Sequence, residues 1–320
     1  MKKCILILSL LVFVVACKKE SEAESKIAEI PAPKVAIERF DKAFFEAGAQ
    51  GLPDLKVKYP YLFPEGNEDA VWLNKMKDPF MLKLKAESEK KYPNLDKLQD
   101  DMSAFLQHVK YYFPQLPVPR VVSLITDDTD IKAVYTPEVV VVPLSLYLGK
   151  DNYLYEGLNK YEIEQYEPSQ IMPDIVTSFG YNKIAPPRDR QLLSLMIYYG
   201  KELYLKDALI PETPDNNKIG YTKEQLEWAE ANEQEIWKYF VDKKLLFDSD
   251  PKLPARFINP APFSKFYLEL DNESPGRIGQ WMGWQIVKAY AENNKNVPLQ
   301  DLLAMDAKTI FDNSKYKPKK

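Results

Sequence analysis

Residues 188–211 read R-D-R-Q-L-L-S-L-M-I-Y-Y-G-K-E-L-Y-L-K-D-A-L-I-P, and residues 222–241 read T-K-E-Q-L-E-W-A-E-A-N-E-Q-E-I-W-K-Y-F-V. The first segment predicts a long helix. Leu192, Leu193, Leu195, Met196, Tyr199, Leu203 and Tyr204 supply its apolar surface, and Pro211 ends it. The second opens on Thr222 with Gln225 three residues later, the signature of a capping box. Leu226, Ala229, Glu233, Ile236, Trp237, Phe240 and Val241 then recur at three- and four-residue intervals, which predicts one continuous core-facing helix. The polar groups of this pair are carboxylates, amides and tyrosines, without a histidine.

Upstream, residues 94–113 carry a second helical stripe: Leu95, Leu98, Met102, Phe105, Leu106, Val109 and Tyr112. His108, the only histidine in the chain, lies at the flank of that stripe and reads as a packing residue. Helical patterns also cover residues 37–45, with Phe40, Phe44 and Phe45 on one face, and residues 69–89. Between residues 118 and 142 the period shortens. Residues 121–125 and 131–135 are β-branched runs flanking Asp127, Asp128 and Asp130, which predicts a hairpin, and Val139–Val142 reads as a strand buried on both faces. A calcium loop of the EF type needs glycine at its sixth position, where Lys132 stands, so the aspartates read as a solvated turn.

Residues 153–167 alternate tyrosine with acid, a pattern suited either to the rim of a groove or to an exposed loop over the sheet. Residues 251–262 are proline-rich and read as extended. S-P-G-R-I-G at residues 274–279 reads as a helix start with proline at the first position. Gly279 and Gly283 fall one turn apart on that helix, so a second backbone can come close there.

The N-terminus is processing signal rather than fold. Lys2 and Lys3 precede an apolar run at residues 5–15, the length of a signal-peptide core and too short for a bilayer span. Val14-Val15-Ala16-Cys17 fits a lipoprotein cleavage box, so residues 1–16 are expected to leave and Cys17 to carry lipid. Residues 17–34 then form a lipidated cysteine with a charged, proline-ended flexible tether, and residues 35–320 form a single globular domain. Cys4 departs with the leader, which leaves no thiol pair for a disulfide. Of 43 bases Lys2 and Lys3 are lost, and the remaining 41 face 47 acids, a balance of −6. Such a surface repels a polyanion, so no nucleic-acid partner is expected.

Stoichiometry removes several enzyme classes. Ser–His–Asp and Cys–His mechanisms and the H-E-x-x-H zinc site need histidines or thiols that one histidine cannot supply. No phosphate-cradling glycine motif occurs. A two-carboxylate glycosidase needs only paired acids, and Glu202, Glu230, Glu233 and Glu235 on the helix pair are its candidates.

With residues 196–209, E-W-A-E-A-N-E-Q-E-I-W-K-Y-F at 227–240 and S-P-G-R-I-G-Q-W-M-G-W-Q-I-V-K-A-Y at 274–290 in view, the chain resembles the gliding-motility lipoprotein GldB family of Bacteroidetes. The likeness extends over nearly the whole length, including N-P-A-P-F at 259–263 and S-K-Y-K-P at 314–318. It implies an α+β, mainly helical fold of zincin-like layout, with a small β-sheet and several long helices. The helix that would hold H-E-x-x-H has I-Y-Y-G-K-E at 197–202 instead, and Glu233 falls where a third ligand is expected. The resemblance therefore implies no catalytic residue, no metal and no cofactor. It implies a pocket at Tyr198, Tyr199, Glu202, Glu230 and Glu233, now used for binding. It also implies protein partners in the gliding apparatus, which works alongside type IX secretion. The expected location is a lipid anchor in the outer membrane facing the periplasm, with the inner membrane as the alternative. A cell-wall glycosidase and a peptidoglycan- or sugar-binding lipoprotein remain the alternative functions.

Overall fold

Helices make up most of the chain and a four-stranded sheet anchors its N-terminal half, the α+β, mainly helical class expected from sequence. The computed structural model describes residues 22–269 and 271–319, so the leader and Cys17 lie outside the described residues. The first element, α1 (Glu22–Ala28), falls inside the expected tether, yet it is docked. Its Ile27 is buried, Gln107 donates to the carbonyls of Ile27 and Ile30 at 3.1 and 2.5 Å, and Ser103 donates to that of Pro33 at 2.6 Å. So short a helix is marginal alone; tertiary contacts hold it, and composition does not report them.

Strand β1 (Ile37–Arg39) corrects the helix predicted to start at residue 37; α2 (Phe40–Lys58) begins three residues later. Phe40 and Phe44 pack with Tyr59, Phe63 and Met76 against Val122 and Val139 of the sheet. The pattern at 69–89 divides into α3 (Asp69–Lys77) and α4 (Pro79–Lys91). Asp78 makes the break: its carboxylate accepts from the Phe80 and Met81 N–H groups, and Pro79 takes the first helical position. Leu95 is buried just before helix α5 (Asp96–Tyr112) and Tyr112 is half-buried at its end; the helix buries Leu98, Met102, Phe105, Leu106 and Val109 of the predicted stripe. His108 is buried with it, Nδ1 2.9 Å from the Ala104 carbonyl oxygen and Nε2 3.4 Å from Glu24.

Strands β2 (Arg120–Leu124), β3 (Val134–Tyr135) and β4 (Val139–Pro143) complete the sheet, in the order β1-β2-β4-β3. The expected hairpin between the runs at 121–125 and 131–135 is not formed. β2 pairs in parallel with β4, and β3 pairs antiparallel with the outer side of β4. Val140 and Val142 are wholly buried, so the most apolar strand takes an interior place with neighbours on both edges. Of the turn aspartates, Asp127 pairs with Lys75 at 3.1 Å, and Asp128 accepts the Asp130 N–H at 2.9 Å.

Beyond the sheet come α6 (Lys160–Ile163), α7 (Ile171–Gly180) and α8 (Leu192–Leu209). Helix α8 is apolar on nearly every side and is the central helix of the fold: Leu192, Met196, Ile197, Leu205 and Leu209 are wholly buried. A short α9 (Asp215–Ile219) follows, and then α10 (Lys223–Ala231), whose capping box is present in both directions between Thr222 and Gln225. The helix predicted to run on to residue 241 instead restarts as α11 (Glu233–Asp242). At the break, Asn232 leaves helical geometry and its side-chain amide donates to the Trp228 carbonyl at 2.8 Å, the local competition typical of asparagine.

Helix α12 (Leu253–Phe257) interrupts the segment read as extended. Helix α13 (Ile278–Asn293) starts later than its proline suggests: Arg277 precedes it in the left-handed region, at φ 61°. Ser264 supplies the missing cap, accepting the Ile278 N–H at 3.2 Å while donating to the Pro275 carbonyl at 2.7 Å. Helices α14 (Leu299–Ala304) and α15 (Ala307–Ser314) close the chain. The close approach predicted at Gly283 is against α8. A Cβ at Gly283 would lie 1.8 Å from the Met196 carbonyl oxygen, and one at Gly200 2.4 Å from the Gly283 backbone. Gly279 meets Phe257, the last residue of α12, and Ile258 just beyond it.

Candidate functional site

Of the five residues grouped from sequence, Tyr198, Tyr199 and Glu202 are neighbours on α8, whereas Glu230 and Glu233 have other surroundings. Tyr198 lines a cleft of about 310 Å³ with Arg188, Lys201 and Asp306. Its ring meets Tyr199 edge to face at 5.2 Å, and both phenols are half-buried. Burial raises the pKa of each above its ordinary value, and the Glu202 charge adds to the shift. Glu202 accepts from the Thr177 hydroxyl at 2.8 Å and pairs with Lys206 at 3.4 Å. Glu230 is exposed on α10. Glu233 is buried and accepts from the Tyr316 hydroxyl at 2.7 Å. Burial, with the Glu233 bond added, raises the Tyr316 pKa, so the phenol stays protonated as the donor. Glu202 and Glu233 thus bind different protein groups rather than a shared guest.

What sequence reasoning missed is a chain of buried cations around α8. Lys201 donates to the Leu303 and Met305 carbonyls at 3.0 Å each, and burial pushes its pKa down to about 8 against the pull of Asp306. Lys206 donates to the Lys218 carbonyl at 2.9 Å; burial lowers its pKa, with Glu202 and Asp174 opposing. Lys218 reaches Asp207 at 2.8 Å and Asp215 at 3.1 Å, and Lys288 reaches Asp215 at 3.0 Å. The Trp284 indole N–H donates to Asp207 at 2.7 Å. Burial pushes the Asp207 carboxyl up while Lys288 and Lys218 hold it down. A signal existed: residues 201–207, K-E-L-Y-L-K-D, set four charges into a helix that is otherwise apolar all round. Charges in that setting have to be paired.

Beside this chain opens a cleft of about 290 Å³, whose lining includes Lys132, Tyr161, Gln165, Tyr221 and Arg277. The Arg277 guanidinium donates to the Gly220 carbonyl at 2.8 Å and lies 5.5 Å from the centre of the Tyr221 ring. The Tyr221 hydroxyl in turn donates to the Gly276 carbonyl at 2.6 Å. Below, Asp174 accepts from the Tyr147 hydroxyl at 2.9 Å and from Lys132 at 3.2 Å. The tyrosine–acid segment divides between both of its readings. Tyr161, Glu162, Glu164 and Tyr166 border the cleft, whereas Tyr155 is buried and donates to the Ser145 carbonyl at 2.8 Å. A larger groove of about 670 Å³ runs over Leu98, Phe105, Ile171, Met172 and Ile210, with no buried acid, lysine or arginine to orient a ligand.

The fold and the cleft define a mainly helical α+β protein with a polar cleft and a set of buried ion pairs. The family model described as gliding motility protein GldB matches residues 20–318, and the chain belongs to that family, which ties it to gliding motility. No curated protein and no solved structure matches it. The family is one of lipoproteins, in keeping with attachment in the cell envelope.

Proposed function

We propose that this protein is a lipid-anchored, non-catalytic component of the gliding machinery, acting by binding in the cell envelope beside type IX secretion. The observation that carries the reading is on α8. Where a zincin-like peptidase would present H-E-x-x-H, the only acid is Glu202, already held by Thr177 and Lys206. Tyr198 and Tyr199 are poor substitutes as ligands, because a phenol binds zinc only after losing its proton and both are raised above an ordinary pKa of about 10. The glycosidase alternative needs two carboxyls facing one open site. Glu202 and Glu233 are each engaged with protein groups, and Glu230 stands exposed on another helix.

Purified protein is expected to hold no stoichiometric zinc and to cleave no member of a peptide library, while a strain lacking it fails to glide. One zinc per chain that survives dialysis against a chelator would overturn the reading. The anchor has its own test. No described helix is long and apolar enough to cross a membrane, and the proposal places attachment at Cys17, in the outer membrane facing the periplasm. Cys17→Ala should therefore give a folded protein that leaves the membrane fraction; retention in washed membranes would point to a protein partner as the tether.

A further inference from the structure

We propose that the 290 Å³ cleft is a binding site for the carboxylate of a short peptide, with Arg277 as the group that receives it. The backbone places Arg277 on purpose. Its φ of 61° is one that side-chain-bearing residues seldom adopt and glycine adopts freely, yet glycine occupies the position before it. A Cβ at Gly276 would lie 2.1 Å from the Ala261 carbonyl oxygen, so that contact holds the chain on one side. On the other side Ser264 ties Pro275 to Ile278. The arginine is thus aimed by a rigid frame.

A guanidinium carries five N–H donors in a planar fork that matches a carboxylate. Among the described residues, the hydrogen bond the Arg277 side chain makes is the one to the Gly220 carbonyl. The two acids beneath it are already engaged, Asp174 by Tyr147 and Lys132, Glu202 by Thr177 and Lys206. Of the charged residues that line the cleft, Arg277 and Lys132 are the cations and Asp130, Glu162 and Glu164 the acids, so its charge is mixed. A guest carboxylate has the guanidinium to receive it, and a basic group on the same guest has the acids.

The acids of the lining select against a polyanion. Asp130, Glu162 and Glu164 line the same cleft and would repel a phosphate-rich or uronic-acid chain, while favouring a guest whose other end is basic. Tyr161, Tyr166 and Tyr221 offer flat amphipathic walls of the kind that pack against peptide. The volume is at the small end of ligand cavities, suited to the last residue or two of a chain rather than to a long segment.

The test uses the full mature chain and two probes, acetyl-Ala-Lys with a free carboxylate and the same dipeptide as its C-terminal amide, followed by ligand-observed NMR titration. The acid should bind at least about tenfold more tightly than the amide, the scale of a charge-assisted hydrogen bond. Arg277→Asn should abolish that preference and still fold, since asparagine accepts left-handed backbone. Equal affinity for the two probes, binding of neither at millimolar concentration, or an unchanged preference in Arg277→Asn would each overturn the assignment. The comparison of probes on the unaltered protein stands even if the variant fails to fold. This inference is independent of the non-catalytic reading: hydrolysis of a bound probe would sink that reading alone, and absence of binding would sink this one alone.

Discussion

Gly283→Ala is expected to destabilise the fold by about 3 kcal/mol or more, at or above the upper end of what overpacking usually costs. The added Cβ would sit 1.8 Å from the Met196 carbonyl oxygen and 2.3 Å from its carbon. Both are backbone atoms of α8, so no rotamer change relieves the contact. Gly200 faces Gly283 from the other helix, which leaves neither side room to yield. The helices can separate only by loosening Trp281, Met282, Ile286 and Val287, all buried on α13. Gly279→Ala should cost less, because part of what its Cβ meets, at 2.9 Å, is the flexible end of Ile258. Thermal or urea unfolding of the two variants decides the matter. For a chain of this size each kcal/mol moves the midpoint by roughly 2–4 °C, so a Gly283→Ala protein melting with the wild type would mean that α8 and α13 do not touch there.

Asp207→Ala should cost about 3–5 kcal/mol, the range for removing one partner from a buried charge pair. Asp207 receives Lys218 at 2.8 Å and the Trp284 indole N–H at 2.7 Å, with Lys288 at 3.8 Å. Its loss leaves the indole donor without a partner. It also leaves the buried Lys218 and the Lys288 charge to share Asp215. Asp215→Ala is the informative comparison. Its side chain is 43% exposed against 20% for Asp207, so water replaces much of what is lost. Denaturant unfolding should rank Asp207→Ala well below Asp215→Ala in stability; the reverse order would show that the network is held from the Asp215 end.

What was legible from sequence was local. The α5 stripe, the Thr222–Gln225 capping box, the buried valines of β4 and the close approach at Gly283 each depend on spacing along one element. Side-chain periodicity and cap chemistry report such spacing directly. The breaks at Asp78 and Asn232 were also local, and were missed because the apolar period continues through both residues.

Only the tertiary structure decided who meets whom. The valines of β4 announce an interior strand but not that β2 rather than β3 lies on its inner edge. Glu233 has the spacing of a ligand on a helix, yet its partner is Tyr316, 83 residues away. The cleft is assembled the same way: Arg277 reaches Gly220 across 57 residues, and Lys132 reaches Asp174 across 42. A sequence states the chemistry of each side chain and its phase on its own element. Which charges end in one cavity depends on how those elements pack, and the packing free energy is shared over contacts distant in the chain. The lysines of α8 show the division most clearly. Their sequence says that they must be paired, and i,i+4 spacing already offers Glu202 to Lys206; the fold alone supplies the Lys218 carbonyl and the C-terminal carbonyls of Leu303 and Met305.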